Sequence, residues 1–193
     1  MKTISNENKS VKDFIQTVLI DRIGSLIGTG NHYLGFGAQT QAIELIGAII
    51  EDEDVERLQP KSDSNFETQG KSRRRFHNAI KLFTNVNYLN YCPELRTDTN
   101  YSADFDLYEN LRCGYAHQMR SIGKISVTTE PESIIDGTQH LVIDPLSGRL
   151  IIVSEILCRD LKEVCEKVIS MIDKGEINHT KPYGGFIAVT SYN

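Results

Sequence analysis

Apolar residues recur every three or four positions through much of the chain, which is the spacing of amphipathic α-helices. The helices that this spacing predicts cover residues 10–27, 38–50, 72–83, 106–120 and 154–174. Gly175 follows the last of them and is a natural C-cap residue. The pattern therefore predicts a mainly α-helical fold, a bundle of four to five helices.

The hydrophobic period changes after residue 121. Residues 124–129, 140–143 and 150–153 are rich in β-branched and apolar side chains and are typical of short strands. The sequence Asp144-Pro-Leu-Ser-Gly148 between the last two is a turn signal. We expect a β-hairpin over residues 139–153, forming a small β appendage before the last helix.

Polar and glycine-rich stretches separate these elements. Four glycines between residues 28 and 37 predict a loop between the first two helices. An acidic run at 51–56 and a polar segment at 59–70 predict solvated loops. We expect a single domain over residues 1–193, with a helical core at about 10–120, a hairpin and helix at about 121–175, and a tail at 176–193. The apolar stretch 185–190 in that tail is a candidate edge strand or partner-docking segment.

Composition narrows the functional classes. The 193 residues carry 21 Lys and Arg against 26 Asp and Glu, so a net charge of −5 argues against a globally basic nucleic-acid binder. No apolar run approaches the roughly 18 residues of a membrane helix, and the polar N-terminus lacks a signal-peptide core. We therefore expect a cytoplasmic protein without membrane association. The four cysteines and five histidines show no metal-ligand spacing, so no metal site and no cofactor are predicted.

The fourth predicted helix carries the strongest candidate chemistry. Its sequence Leu111-Arg-Cys-Gly-Tyr-Ala-His117 contains an Arg and a His with four residues between them. This stretch, late in the helical part of the chain, resembles the Arg-x4–6-His motif of the HEPN superfamily, whose members are helical-bundle proteins and frequently metal-independent ribonucleases. Cys113 stands where many members carry Asn or Asp directly after the Arg.

The resemblance implies an RNA-binding protein, and a metal-independent endoribonuclease in which the ribose 2′-OH attacks the adjacent phosphate. His117 would act as general acid or base, and Arg112 would stabilise the phosphate charge. The family's motif lies in a cleft between protomers, so a homodimer is expected. Small residues would then let the partner helix approach, namely Cys113, Gly114 and Ala116. Family analogy also implies a toxin or defence component, with a cognate antitoxin or other protein partner.

The basic segment at the start of the third predicted helix is a second candidate site, a surface that could bind phosphate. Its members are Lys71, Arg73, Arg74 and Arg75, with Arg120 added from the end of the fourth helix. The competing interpretation makes the protein a non-catalytic helical dimerisation or interaction module. Arg112 would then pair with Glu109 and stack on Tyr108, and His117 would cap the helix C-terminus. The Lys71–Arg75 segment would then be a solvated helix start.

Overall fold

A computed structural model describes residues 11–50, 71–95 and 102–177 of the chain. Within these ranges the protein is mainly helical, with a two-stranded sheet before the last helix, which confirms the predicted fold class. The helices are α1 (residues 11–28), α2 (His32–Ile50), α3 (Lys71–Ile80), α4 (107–118), α5 (Glu130–Asp136) and α6 (Ser154–Lys174); the strands are β1 (Ile125–Thr128) and β2 (Leu150–Val153). The loops at 51–56 and 59–70 and the apolar segment 185–190 lie outside the described residues.

Helix α1 contains a π-helical stretch, Ile15–Arg22, before its α-helical end, Ile23–Gly28. Five of its six buried residues follow a four-residue repeat, namely Val11, Ile15, Leu19, Ile23 and Ile27, and Ile20 is the sixth. Four residues advance about 400° in an α-helix, so such a repeat drifts around its axis. The wider π-helical turn offsets that drift and keeps the five side chains on one buried stripe.

Helix α2 begins at His32, six residues before the predicted start, because two of the glycines belong to the helix and not to a loop. A Cβ atom on Gly35 would lie 2.5 Å from Ile27 Cδ1, and one on Gly37 would lie 3.3 Å from the Tyr115 ring. These glycines therefore allow α1 and α4 to pack closely on α2. The prediction of a glycine loop over 28–37 holds only for residues 29–31.

Helix α3 ends at Ile80, and tighter turns follow in which the N–H groups of Leu82 and Phe83 donate to carbonyls three residues back. Short 3₁₀ turns then occupy Val86–Tyr91, Pro93–Leu95 and Ala103–Phe105. Helix α4 is π-helical over Leu107–Cys113 and α-helical over Gly114–Gln118. It ends at Met119, whose φ of 56° is left-handed.

The sheet differs from the predicted hairpin. Strands β1 and β2 pair in parallel, with Ile125 opposite Leu150, and α5 lies in the connection between them. Residues 140–143 contribute only one antiparallel bridge, from Ile143 to Leu150. Leu141 has a φ of 58°, which interrupts an extended strand at the centre of this segment.

Helix α6 has the predicted bounds and ends at Gly175 in the left-handed conformation expected of a C-cap. Its buried face belongs to a hydrophobic cluster that also includes residues of α1, α2, α3, α4 and both strands. Helix α2 lies at the centre of this cluster, and its Ile46 and Ile49 are fully buried. The packing fixes α4 against α2, which positions the candidate site.

Candidate functional site

The start of helix α4 is fixed by Asp106. One oxygen of its carboxylate accepts hydrogen bonds from the backbone N–H groups of Tyr108 and Glu109, at 2.8 and 3.2 Å. The other oxygen accepts a hydrogen bond from Arg73 Nη1 at 2.9 Å, and only 4% of the side chain is exposed. This N-cap sets the position from which the side chains of α4 project.

Arg112 lies on the face of α4 that packs against α2. Its Nε contacts Oε2 of Glu44 as an ion pair, and both side chains are largely removed from solvent. The ring of Tyr108, one turn earlier, lies 5.8 Å from the guanidinium carbon. The expected stacking on Tyr108 is therefore observed, whereas the expected Glu109 partner is wrong: Glu109 pairs with Arg73. Because Arg112 faces α2, its carboxylate partner is Glu44 of that helix and not a residue of α4.

His117 lies near the opposite end of α4 and is exposed. It forms no hydrogen bond or ion pair with any residue in the described ranges, so its imidazole is open to a ligand. Arg120 and Ala116 are exposed beside it. His117 lies five positions after Arg112, a spacing at which side chains project about 140° apart in an ideal α-helix. One copy of α4 therefore directs the two side chains to different faces.

The three small residues predicted at a dimer contact have different environments. Gly114 is buried, Cys113 is half-buried and Ala116 is exposed. A Cβ atom on Gly114 would lie 2.5 Å from the carbonyl oxygen of Arg120, so the chain's own turn after α4 accounts for the glycine. Of the three, Ala116 presents a surface that a second helix can reach.

The basic segment at the start of α3 is mostly integrated into the fold. Arg73 pairs with Asp106, Glu109 and Glu94, and its guanidinium carbon lies 4.9 Å from the centroid of the Tyr108 ring. Burial lowers the pKa of Arg73, but the carboxylates of Asp106 and Glu109 outweigh burial and raise that pKa overall. Arg73 therefore stabilises the junction of α3 with α4.

The remaining cations of that segment differ in exposure. Arg75 is 7% exposed, Lys71 is half-buried and Arg74 is exposed. A phosphate approaching from solvent therefore meets Arg74, with Lys71 at the edge, and Arg75 lies in the interior. Phosphate binding by this segment stays a prediction that depends mainly on Arg74.

Glu44 is the residue of this site that the sequence analysis missed. It is the one charged side chain in the apolar run from Ala42 to Ile50, and this is the signal that could have identified it. A carboxylate on an apolar helix face needs a cationic partner in the fold, because burying an unpaired charge is costly. Its partner, Arg112, lies 68 residues later, and no local spacing could have shown the pair.

A second polar cluster joins the 3₁₀ turn at Tyr88 to α6. His140 Nδ1 accepts a hydrogen bond from the backbone N–H of Val153 at 2.9 Å, so the neutral ring donates from Nε2 to the Tyr88 hydroxyl at 2.8 Å. Tyr88 in turn donates to Asp160 at 2.8 Å. Burial lowers the pKa of His140 to about 4, and it raises the pKa of both Tyr88 and Asp160. The direction of these bonds needs a neutral His140, which connects Tyr88 and Asp160 to the backbone at the end of β2.

A third cluster forms where helices α2, α5 and α6 begin. Glu155 accepts hydrogen bonds from the backbone N–H of Glu130 at 2.9 Å and from the Ser154 hydroxyl at 3.1 Å. His32 Nδ1 lies 2.9 Å from the same hydroxyl and 3.7 Å from Glu155. The carboxylate thus compensates the positive ends of α5 and α6, and the His32 side chain connects the start of α2 to the same cluster. Ser154 is fully buried, which removes its hydroxyl from any substrate.

Among the residues with described positions, no group of three or more His, Cys, Asp or Glu side chains could hold a metal ion. The four cysteines are free. No helix in the described ranges has the length and apolar character needed to cross a membrane. Compared with known proteins, the chain matches no protein-family model, no curated protein and no solved structure.

Proposed function

We propose that the chain is a HEPN-like, RNA-binding protein that cleaves RNA without a metal, using Arg112 and His117 at a homodimer cleft. The observation that carries this proposal is the state of the two side chains on α4. His117 is exposed and makes no contact that would occupy its imidazole among the described residues. Arg112 is held by a carboxylate and an aromatic ring near the protein surface.

The proposed reaction uses the 2′-OH of the RNA as its nucleophile. His117 removes the 2′-OH proton while the oxygen attacks the adjacent phosphorus. The bond to the 5′-oxygen of the next nucleotide breaks, and that oxygen takes a proton from solvent water, while His117 returns its own proton to solvent. Arg112 binds the phosphate and stabilises the additional negative charge of the transition state. The products are a 2′,3′-cyclic phosphate and a 5′-OH.

A homodimer completes this site. One copy of α4 directs Arg112 and His117 to different faces, so we place Arg112 of one protomer opposite His117 of the other. A dimer then holds two such sites. A cytoplasmic location, a defence or toxin role and a cognate antitoxin belong to the same proposal.

The test is RNA cleavage in EDTA by wild type, His117→Ala and Gln118→Ala. Gln118 is the exposed neighbour of His117 and serves as the matched control. Wild type and Gln118→Ala should yield 2′,3′-cyclic phosphate ends on structured or unstructured end-labelled RNA. His117→Ala should be slower by about 10²–10⁴-fold, the usual contribution of a general acid or base. Equal cleavage by His117→Ala, or no cleavage by wild type, would reject the nuclease.

A non-catalytic interaction module is the second candidate, and an exposed apolar surface favours it. Tyr33, Leu34 and Met119 are each more than half exposed. The Tyr33 hydroxyl donates to the carbonyl of Met119, which joins the start of α2 to the end of α4. If the wild type sediments as a dimer but binds and cleaves no RNA, and Met119→Asp dissociates it, this second function replaces the first.

A further inference from the structure

The ion pair between Glu44 and Arg112 links α2 to α4 at the edge of the proposed site. The side chains of Glu44 and Arg112 are 14% and 16% exposed. A guanidinium stays charged at any physiological pH, and one so far removed from water needs a compensating charge. Glu44 supplies that charge from a helix that does not carry the motif.

The contact uses one particular edge of the guanidinium. Glu44 Oε2 contacts Nε of Arg112, and both of these atoms are shielded from solvent. The terminal nitrogens Nη1 and Nη2 form no hydrogen bond with residues in the described ranges. Arginine presents its donors as a planar fork, and a pair of parallel N–H groups matches two oxygens of a phosphate. The fork therefore keeps one edge for a phosphate while Glu44 occupies the other.

Tyr108 restricts the same guanidinium from a second direction. Its ring lies 5.8 Å from the Arg112 guanidinium carbon, and burial and a hydrogen bond with Cys113 raise the pKa of Tyr108 to about 12. Tyr108 thus stays neutral and keeps a π face toward the cation. Contacts from Glu44 and Tyr108 together leave Arg112 few other orientations.

We infer that Glu44 is a positioning residue, which holds Arg112 by its Nε edge so that Nη1 and Nη2 face an RNA phosphodiester. The role rests on the proposed function, since it assigns a partner to that site. Without the Glu44 charge, Arg112 loses its fixed orientation and must be ordered each time a phosphate binds. The loss appears first as weaker RNA binding, because Glu44 itself makes no contact with the substrate.

The first test compares Glu44→Gln with Glu130→Gln. The first substitution keeps the size of the native side chain and removes its charge, and Glu130 forms an ion pair with Arg159 outside the site. For Glu44→Gln we expect a KM raised at least tenfold and a kcat changed less than threefold, both measured at a temperature at which the variant is folded, because removing the charge beside Arg112 also lowers the melting temperature. Glu130→Gln should match wild type. An unchanged KM in Glu44→Gln, or an equal rise in both variants, would overturn the inference.

A charge-conserving variant separates positioning from stability. Glu44→Asp keeps a carboxylate opposite Arg112 but shortens the side chain by one methylene group. If the native pair only stabilises the fold, Glu44→Asp and Glu44→Gln should both keep the wild-type KM wherever they are folded. A positioning role predicts that the KM of Glu44→Asp lies closer to wild type than that of Glu44→Gln, and equal KM values in the two variants would contradict it.

A measurement without turnover distinguishes failure of this inference from failure of the proposed function. The ¹⁵N NMR signal of Arg112 Nε, assigned by comparison with Arg112→Lys, is followed during titration with a 2′-O-methyl oligoribonucleotide. This RNA lacks the nucleophile and cannot be cleaved. A shift in wild type that needs at least tenfold more RNA in Glu44→Gln supports positioning even if native RNA is not cut. No shift in wild type, or identical titrations, would refute it.

Discussion

Two glycines in helices make a matched pair that tests the packing of α2. A Cβ atom on Gly47 would overlap the backbone carbonyl of Arg75 and lie 2.9 Å from the Arg75 Cα atom. The obstacle is backbone of α3, so α2 and α3 would have to separate to make room. A Cβ atom on Gly24, in contrast, would have no atom within 4 Å.

The two substitutions should therefore change the free energy of unfolding in opposite directions. Alanine in place of glycine inside a helix stabilises by about 0.5–1 kcal/mol when it meets no obstacle, which is the expectation for Gly24→Ala. Overpacking costs about 1–3 kcal/mol and sometimes more. Because the obstacle at Gly47 is backbone, Gly47→Ala should lose at least about 2 kcal/mol even after the gain in helix propensity.

Urea unfolding of wild type, Gly24→Ala and Gly47→Ala measures both effects. The midpoint should rise for Gly24→Ala and fall for Gly47→Ala with little change in slope. For a chain of this size the loss also lowers the melting temperature by about 4–8 °C. If Gly47→Ala is as stable as wild type, α2 and α3 do not approach as closely as described. That result would also contradict the placement of Glu44 against Arg112, because Glu44 lies on α2 and its position depends on the packing of that helix.

Two further predictions concern the polar groups that fix the fold. The pKa of His140 is lowered to about 4, so the unfolded chain binds the extra proton first as pH falls from about 6.5 to 4. Neutral His140 therefore contributes its full share of the free energy of unfolding above about pH 6.5, and that share, on the order of 3 kcal/mol, is lost as the pH falls to about 4. Wild type should lose that much more than His140→Gln between pH 7 and pH 4, and parallel losses would contradict a neutral buried His140. Asp106→Ala should lose about 2–3 kcal/mol, since it removes a helix cap and a partner of Arg73. Asp106→Asn should keep the cap and recover about 1 kcal/mol in the same urea unfolding, and equal losses would show that the cap contributes nothing.

The sequence predicted helices well where the buried face follows ordinary helical spacing. Helix α6 has the expected start, end and C-cap because its apolar stripe, its polar face and Gly175 all agree. The prediction was wrong at Gly35 and Gly37, because local rules associate glycine with turns. Only the packing of α2 on α1 and α4 explains why these two helical positions carry glycine.

The π-helical stretches had a signal in the sequence that ordinary spacing rules overlook. A row of buried apolar residues spaced four apart runs through both α1 and α4, where it consists of Leu107, Leu111 and Tyr115. A regular α-helix would alternate three and four. The parallel sheet had no comparable signal, because the pairing of Ile125 with Leu150 joins residues 25 apart through a short helix.

The candidate site was only partly predictable for the same reason. Arg112 and His117 are visible as a motif because both belong to one helix. The carboxylates that hold Arg112 and Arg73 come from other elements, so local spacing wrongly offered Glu109 to Arg112 and left Arg73 to solvent or to RNA. Pairwise contacts between elements are what local sequence patterns leave undetermined.

The most direct test of the central claim mixes two inactive variants. Arg112→Ala and His117→Ala are purified separately, combined under conditions that exchange subunits, and assayed for RNA cleavage in EDTA. Random exchange makes half of the dimers mixed, and each mixed dimer holds one intact site of two, so cleavage should return to about a quarter of the wild-type rate. If wild type cleaves RNA and the mixture stays as inactive as each variant alone, the two residues do not share a site across a dimer.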